Sequence, residues 1–406
     1  MPVARPLPHR GASAAIWFGQ ARTSGALGNG VEFRPFVVEV PPKAISDLRR
    51  RVSDTRWPDQ IPGSGWDYGA EIGHVKDVCS YWANSYKWEA FVERSNAFPQ
   101  FTTIIDQQKF HFIHARSPES TARPLLMLHG WPGSVAEFFE VIGPLSDPAR
   151  YGGDPANAFH VIAPSLPGYG FSGSTSERGW NVTRTAAALA ELMAQLGYSR
   201  FLVHGGDWGS LLASRLAADV PKSVVGVHLT ILGPFPDLAE APLDLSDSEK
   251  RAIDRYNLVL ANESGYKFIQ ATKPQTLAYA LTDSPAGLAG WIFEKFTSWS
   301  DSVSQIPIDR LLDNLSIYWL TGTIGSSMRM YYESRGPGRE EARPVVTVPV
   351  GFAAFPGDLY QVPRRFVEKF YNFVRWTEMP NGGHFAAMET PELLINDVRE
   401  FACQVL

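Results

Sequence analysis

The chain has 406 residues, 44% hydrophobic, 19% charged and 12% aromatic, with 12 Trp, the balance of a globular protein with apolar side chains enough for a core and a greasy pocket. Its net charge of −5 at pH 7 leaves no basic footprint for nucleic acid or an anionic membrane. The two cysteines, Cys79 and Cys403, lie far apart without CxxC spacing, which suits a reducing compartment, and one α/β core carrying an insertion accounts for the length.

Residues 1–32 read as a flexible leader. Arg5, Arg10 and Arg22, the absence of any acid before Glu32, and scattered Pro, Gly, Ala and Ser faintly resemble a transit peptide. Its most apolar run, Ala14 to Phe18, is far too short to span a bilayer. Residues 33–100 read as a helical meander, with helical periodicity over Ile45–Arg51 and Val75–Tyr86 between Pro and Gly turns. From 101 to 233 strands alternate with helices, the mark of a mostly parallel sheet covered on both faces. Thr102–Ile105 and His111–Ala115 predict a hairpin. Leu125–Leu128, Val161–Ala163, Phe201–His204 and Val224–Leu229 predict buried strands, and Thr183–Leu196 a helix. The alternation stops over 234–343, a helical stretch rich in Trp, Tyr and Phe, and resumes over 344–406, ending in a helix at Pro391–Gln404. A helical insertion between two core strands, on the side where strand C-termini open, is the place for a lid.

The chemistry is carried by four short motifs. Phe201 to Ser210 is an apolar strand, a turn with glycines at 205 and 209, and the start of a helix. This is the layout of a nucleophile elbow, and its central residue is Asp207 where most relatives of this architecture carry serine. A helix N-cap aspartate is the other reading of the same turn. A carboxylate nucleophile would displace at an electrophilic sp3 carbon and form an ester with the substrate. The run Val346 to Asp358 predicts a strand ending in an acid, and Phe373–Glu378 another leading to Asn381-Gly-Gly-His384. Nucleophile, acid and base in the order Asp207, Asp358, His384 is the order of α/β-hydrolases. There the imidazole activates water, because a carboxylate needs no deprotonation before it attacks. The strand ending in His129-Gly-Trp131-Pro-Gly-Ser is placed to supply an oxyanion-hole amide from Trp131, with Trp208 supplying the second. Gly168-Tyr-Gly170-Phe-Ser-Gly173 fits a dinucleotide pattern but leads into a loop, so it reads as a tight turn. His111 and His114, three apart on a strand, fall on opposite faces, which argues against a shared metal. No cofactor or metal is called for.

His129-Gly-Trp-Pro-Gly-Ser, Gly205-Gly-Asp-Trp-Gly-Ser and Gly382-Gly-His-Phe-Ala-Ala-Met-Glu-Thr-Pro-Glu resemble the microsomal-type epoxide hydrolases, including their soluble fungal and bacterial members. So do Pro35-Phe-Val-Val-Glu-Val-Pro, Arg56-Trp-Pro and Trp88 to Phe101, and the likeness runs from about residue 33 to the C-terminus. It implies two lid tyrosines facing the nucleophile, at Tyr266 and Tyr331, with neighbouring Tyr332 competing for the second place. The substrate implied is a small lipophilic epoxide, hydrated to a vicinal diol, and a homodimer is an expectation of the same likeness. The microsomal members are membrane-anchored at the amino end. No such anchor is read here, so a cytoplasmic location is expected, with the transit-like leader leaving an organelle open. Haloalkane dehalogenase chemistry uses the same aspartate ester, but its halide leaving group prefers indole or amide donors to tyrosine. A catalytically silent ligand-binding protein of this fold is the remaining reading.

Overall fold

Leu126, Met127, Val203 and Val227 are buried outright, as residues of strands covered on both faces must be. The computed structural model describes residues 25–26, 32–232, 244–303, 305–339, 342 and 344–405. Its strands in chain order are β1 (Gly25–Ala26), β2 (Glu32–Phe36), β3 (Gln100–Ile105), β4 (Gln108–Ala115), β5 (Arg123–Leu128), β6 (Phe159–Pro164), β7 (Phe201–Gly205), β8 (Val224–Leu229), β9 (Val346–Ala354) and β10 (Tyr371–Glu378). They form one sheet in the order β1-β2-β3-β4-β6-β5-β7-β8-β9-β10. Neighbours from β6 to β10 run parallel, and those from β1 to β4, with the β4–β6 pair, run antiparallel.

The meander contributes more than helices. Glu32–Phe36 is a strand of the sheet, pairing Arg34 with Thr102, Pro35 with Phe101 and Phe36 with Gln100. Pro35 hides it from pattern reading, since proline cannot donate to a ladder. Of the expected leader, Gly25 and Ala26 pair antiparallel with Phe33 and Glu32. Residues 1–24 and 27–31, where the transit-like composition falls, lie outside the described residues.

Helices on the two faces start where their caps dictate. Asn181 accepts a hydrogen bond from the Arg184 amide at 2.9 Å and opens the helix Val182–Gln195, which turns Val182, Ala186, Leu189 and Met193 inward. The insertion between β8 and β9 is a lid of helices, including Asp247–Asn262, Gly265–Thr272, Pro285–Trp299, Ile308–Thr321 and Arg329–Arg335. The first of these begins in a Ser246/Glu249 capping box.

Helix Ile308–Thr321 buries polar residues, and each has a partner. Asp313 accepts from Arg94 Nε at 2.7 Å and Tyr86 Oη at 2.5 Å, and Ser316 Oγ accepts from Trp82 Nε1 at 2.9 Å. These donors all belong to the meander. Two further residues of the helix, Asn314 and Tyr318, donate to the carbonyls of Pro132 and Gly133 at 2.8 and 2.7 Å. Meander, lid helix and the loop after β5 are thereby tied into one chain of hydrogen bonds. Among the described residues no helix is long and apolar enough to cross a membrane.

Candidate active site

Strand β7 ends at Gly205, and the helix Trp208–Asp219 leaves almost on top of it. A Cβ on Gly209 would stand 1.9 Å from the Leu128 carbonyl oxygen, so only glycine permits that approach. Asp207, between the two elements, has φ 46° and ψ −126°. A non-glycine residue held there carries strain of about 1–3 kcal/mol, which persists only where the surroundings enforce it. The side chain stands at the N-cap position but makes no capping hydrogen bond. Its Oδ1 instead accepts from the Trp131 amide at 2.8 Å, across a gap in which a Cβ on Gly130 would come within 2.1 Å of that oxygen. The Trp208 amide begins the helix and has no intrahelical acceptor, yet it makes no bond to this carboxylate.

The downstream acid and base close on the same point. His384 Nε2 lies 3.6 Å from Asp207 Oδ2, and its Nδ1 lies 2.8 Å from Asp358 Oδ1. Asp358 Oδ1 also accepts the Leu359 amide at 2.6 Å. Burial opposes a charged imidazole here, but the charges of Asp358 and Asp207 and the hydrogen bond to Asp358 outweigh it. The net effect holds the pKa of His384 well above the ordinary histidine value, which favours its imidazolium form between the two acids.

The loop bearing His384 is fixed to the lid. The His384 amide donates to Trp299 O at 3.0 Å and the Gly382 amide to Asp301 Oδ2 at 2.8 Å. Glu389 spans the two segments, accepting from the amides of Asp301 at 2.8 Å and Phe385 at 2.9 Å, and burial raises its pKa to about 7.

The lid supplies the opposite wall. Tyr266 stacks on Trp131, with ring centroids 5.2 Å apart and planes at 9°. Tyr331 stands edge-on to Trp208 at 4.7 Å and to Trp131 at 6.0 Å. The two tyrosine rings are 5.9 Å apart, and both line, with Asp207, a cavity of about 420 Å³. Burial pushes both phenols well above the usual tyrosine pKa, with the charge of Asp207 adding for Tyr266 and neighbouring Tyr266 and then Asp207 adding for Tyr331, so both are neutral. Tyr332 is turned elsewhere: its Oη accepts from Arg339 Nη2 at 3.3 Å.

Other sequence candidates stand apart from this centre. His111 bonds Ser165 Oγ and Gln100 Oε1, whereas His114 bonds Tyr198 Oη. Gly168 to Gly173 closes as a turn, with the Gly168 amide on Gly173 O at 3.1 Å. Among the described residues no group of acids, histidines and cysteines could hold a metal ion.

Sequence reading passed over one residue of the centre, Glu137. It is half-buried, and loss of solvation pushes its carboxyl up to about 8, with the Asp207 charge adding to the shift and His384 opposing it. The signal was there: Ser134-Val-Ala-Glu137 is a capping-box spacing directly after the His-Gly-Trp-Pro-Gly motif. Ser134 Oγ does accept the Ala136 amide at 3.2 Å.

A nucleophile position after β7, an acid after β9 and a histidine after β10, set on this strand order, define an α/β-hydrolase. A family profile described as "alpha/beta hydrolase fold" matches residues 123–275, and one described as "Epoxide hydrolase N terminus" matches residues 33–138. Epoxide hydrolase 1 of Sus scrofa is 38% identical over 421 residues, covering 95% of this chain and 91% of that protein. The crystal structure of juvenile hormone epoxide hydrolase from the silkworm Bombyx mori superposes with a TM-score of 0.85 at 31% identity, covering 92% of this chain and 95% of that one. The structure of Aspergillus niger epoxide hydrolase gives 0.83 at 31% identity, covering 92% and 96%. The chain belongs to the epoxide hydrolase family.

Proposed function

We propose that this enzyme hydrates a lipophilic epoxide to a vicinal diol through a covalent alkyl ester of Asp207. The observation that carries the reading is the pairing of a carboxylate at the elbow with two buried neutral phenols across the same cavity. Opening an epoxide creates an alkoxide, which needs a proton as the C–O bond breaks. Tyr266 and Tyr331 offer that proton from an apolar wall. Asp207 attacks a ring carbon from the sheet side, so the new C–O bond and the breaking one face opposite walls.

The charge balance supports the same sequence of events. In this reading Asp207 attacks as a carboxylate, and the raised pKa of His384 favours an imidazolium at the start of the cycle. Esterification removes the charge of Asp207, and with it part of what kept His384 protonated, so the imidazole becomes a base only after the ester has formed. The proton it loses makes good the one the phenols gave to the alkoxide. In the second half-reaction His384, oriented by Asp358, takes a proton from water. The hydroxide attacks the Asp207 carbonyl carbon, and the Trp131 and Trp208 amides receive the oxyanion. Collapse breaks the acyl C–O bond, releases the diol and restores carboxylate and imidazolium.

The test is a single turnover in oxygen-18 water with excess enzyme. Label is expected in the Asp207 carboxylate, unlabelled carboxylate oxygen passing to the diol. His384→Gln is expected to accumulate the ester, visible as a mass increase equal to one substrate. Label found in the diol alone would mean direct attack by water and would end the covalent reading. Supplying a haloalkane beside the epoxide separates this chemistry from dehalogenation, which the two phenols disfavour.

A further inference from the structure

The end of the lid helix Pro285–Trp299 is seated on the loop that carries the histidine. Phe296 stacks on Phe385 with ring centroids 4.0 Å apart, and the Trp299 ring stands edge-on to His384 at 5.1 Å. Backbone approaches backbone just as closely. A Cβ on Gly383 would lie 2.7 Å from both Trp299 O and the Asp301 amide nitrogen, and one on Gly357 would lie 2.8 Å from Asp301 Cβ. The lid end, the loop of His384 and the loop of Asp358 thus meet where only glycine leaves room.

Two acids tie this junction together. Asp301 Oδ2 accepts the Gly382 amide at 2.8 Å, and the carbonyl of that same glycine accepts the Gly357 amide at 2.9 Å. Gly357 precedes Asp358, so one chain of bonds runs from the lid through the histidine loop to the acid loop. Glu389 closes the other side: its Oε2 accepts the Asp301 amide at 2.8 Å, and its Oε1 accepts the amide of Phe385, next to His384, at 2.9 Å. Burial raises the Glu389 pKa and the two amide bonds oppose that, while the charge of Asp358 adds to the rise and His384 counters it. The carboxyl therefore stands within electrostatic reach of both members of the pair. Neither Asp301 nor Glu389 lines the cavity of Asp207, so neither is placed to touch substrate.

Resting on the covalent mechanism above, we propose that Asp301 and Glu389 are positioning residues of the second half-reaction, pinning the lid end to the loops of Asp358 and His384 so that the imidazole stays in register with the ester of Asp207. A carboxylate attacks the epoxide without a base, so ester formation does not depend on that register. Ester breakdown does, because water must lose its proton to His384 within reach of the Asp207 carbonyl carbon. Hydrogen bonds to a carboxylate are the stronger kind, which suits a joint that must not slip.

The experiment follows both half-reactions under single turnover on full-length wild type, Asp301→Asn, Asp301→Ala, Glu389→Gln and Glu389→Ala. The probe is whichever of a panel of terminal, aryl and trans-disubstituted epoxides wild type hydrolyses fastest. Ester formation is expected to stay near the wild-type rate in all four variants. Breakdown is expected to fall about 10²-fold in the alanine variants, the scale of a displaced catalytic group. It is expected to fall about tenfold in Asp301→Asn and Glu389→Gln, which keep one oxygen acceptor each and lose roughly one hydrogen bond to a charged group. These two keep the size of the native side chains and carry the test if an alanine variant fails to fold. Partial rescue by the amides, with ester accumulating as a mass increase of one substrate, supports the positioning role. Formation and breakdown slowed alike, or breakdown unchanged, overturns that role and leaves the covalent reading standing. No ester on any protein, His384→Gln included, overturns both.

Discussion

The two walls of the cavity are built by different means. On the sheet side Asp207 and Trp131 sit two and three residues past a strand end, and backbone geometry fixes them, Asp207 by a forced φ and Trp131 by its amide; His384, six residues past its strand, is tied by its amide to Trp299 O of the lid. On the lid side the phenols are fixed by aromatic packing, Tyr266 flat on Trp131 and Tyr331 edge-on to Trp208. A strand end and a hydrogen bond tolerate little displacement, whereas stacked rings can slide. Under the proposed function, the sheet side would suit bond making and the lid side would suit adjustment to the oxygen of different epoxides.

Removing the phenols is the sharpest way to break that contrast. Tyr266→Phe and Tyr331→Phe keep the ring packing and delete only the proton donor. Each is expected to lower the rate of ester formation by roughly 10²–10³-fold, the loss typical of one donor to a developing oxyanion. The double variant is expected to lose far more than either, because one phenol partly covers for the other. The measurement is stopped-flow tryptophan fluorescence under single turnover, where Trp131 and Trp208 report directly. Rates of ester breakdown are expected to change little. An equal loss in both half-reactions would mean that the tyrosines act through lid position and not through the proton.

The same division explains what was legible in the sequence. The elbow, the acid and the base follow from local rules, since a Gly-flanked turn after an apolar run can be read without tertiary knowledge. The lid tyrosines could be named only through the family likeness, because an aromatic residue in an amphipathic helix looks the same whether it faces a core or a cavity. Asp313, Asn314 and Ser316 were illegible for another reason. Three polar residues on the buried side of a helix are sensible only once Arg94, Tyr86, Trp82 and the Pro132 carbonyl are known to meet them. Strand β2 was missed because Pro35 argues locally against a strand that long-range pairing nonetheless builds.

Asp313 tests whether the lid side also steers the sheet side. Its carboxylate is 1% exposed and holds Arg94 and Tyr86, while its neighbour Asn314 holds the loop that presents Trp131. Asp313→Ala leaves Arg94 partly buried without its partner, and a loss of about 3–5 kcal/mol is expected, read as a fall in the denaturant midpoint. Asp313→Asn keeps an acceptor for Tyr86 and is expected to lose less. If the surviving Asp313→Asn protein forms ester more slowly than wild type at temperatures where it is fully folded, the meander is setting the position of the Trp131 amide. Unchanged chemistry would confine its role to stability.

The smallest effect lies in Glu137, the half-buried carboxyl near Asp207 and His384. An unfolded glutamate releases its proton near 4.5, whereas the folded protein keeps it until about 8. Between those values the native state binds one proton more than the unfolded chain. Stability contributed by this group is therefore full below about 4.5 and declines as pH rises toward 8. Glu137→Gln removes the titration while keeping a neutral side chain of the same size, so the pH slope of the unfolding midpoint across that window should flatten relative to wild type. Above pH 8, wild type acquires a third carboxylate near His384 and Glu137→Gln does not. A further anion stabilises the imidazolium, so wild type is expected to release the His384 proton less readily at alkaline pH and to break down its ester more slowly there than Glu137→Gln. Parallel pH profiles for the two proteins, in stability and in ester breakdown alike, would show that the carboxyl is already ionised at neutral pH and belongs to the sheet-side network as an anion.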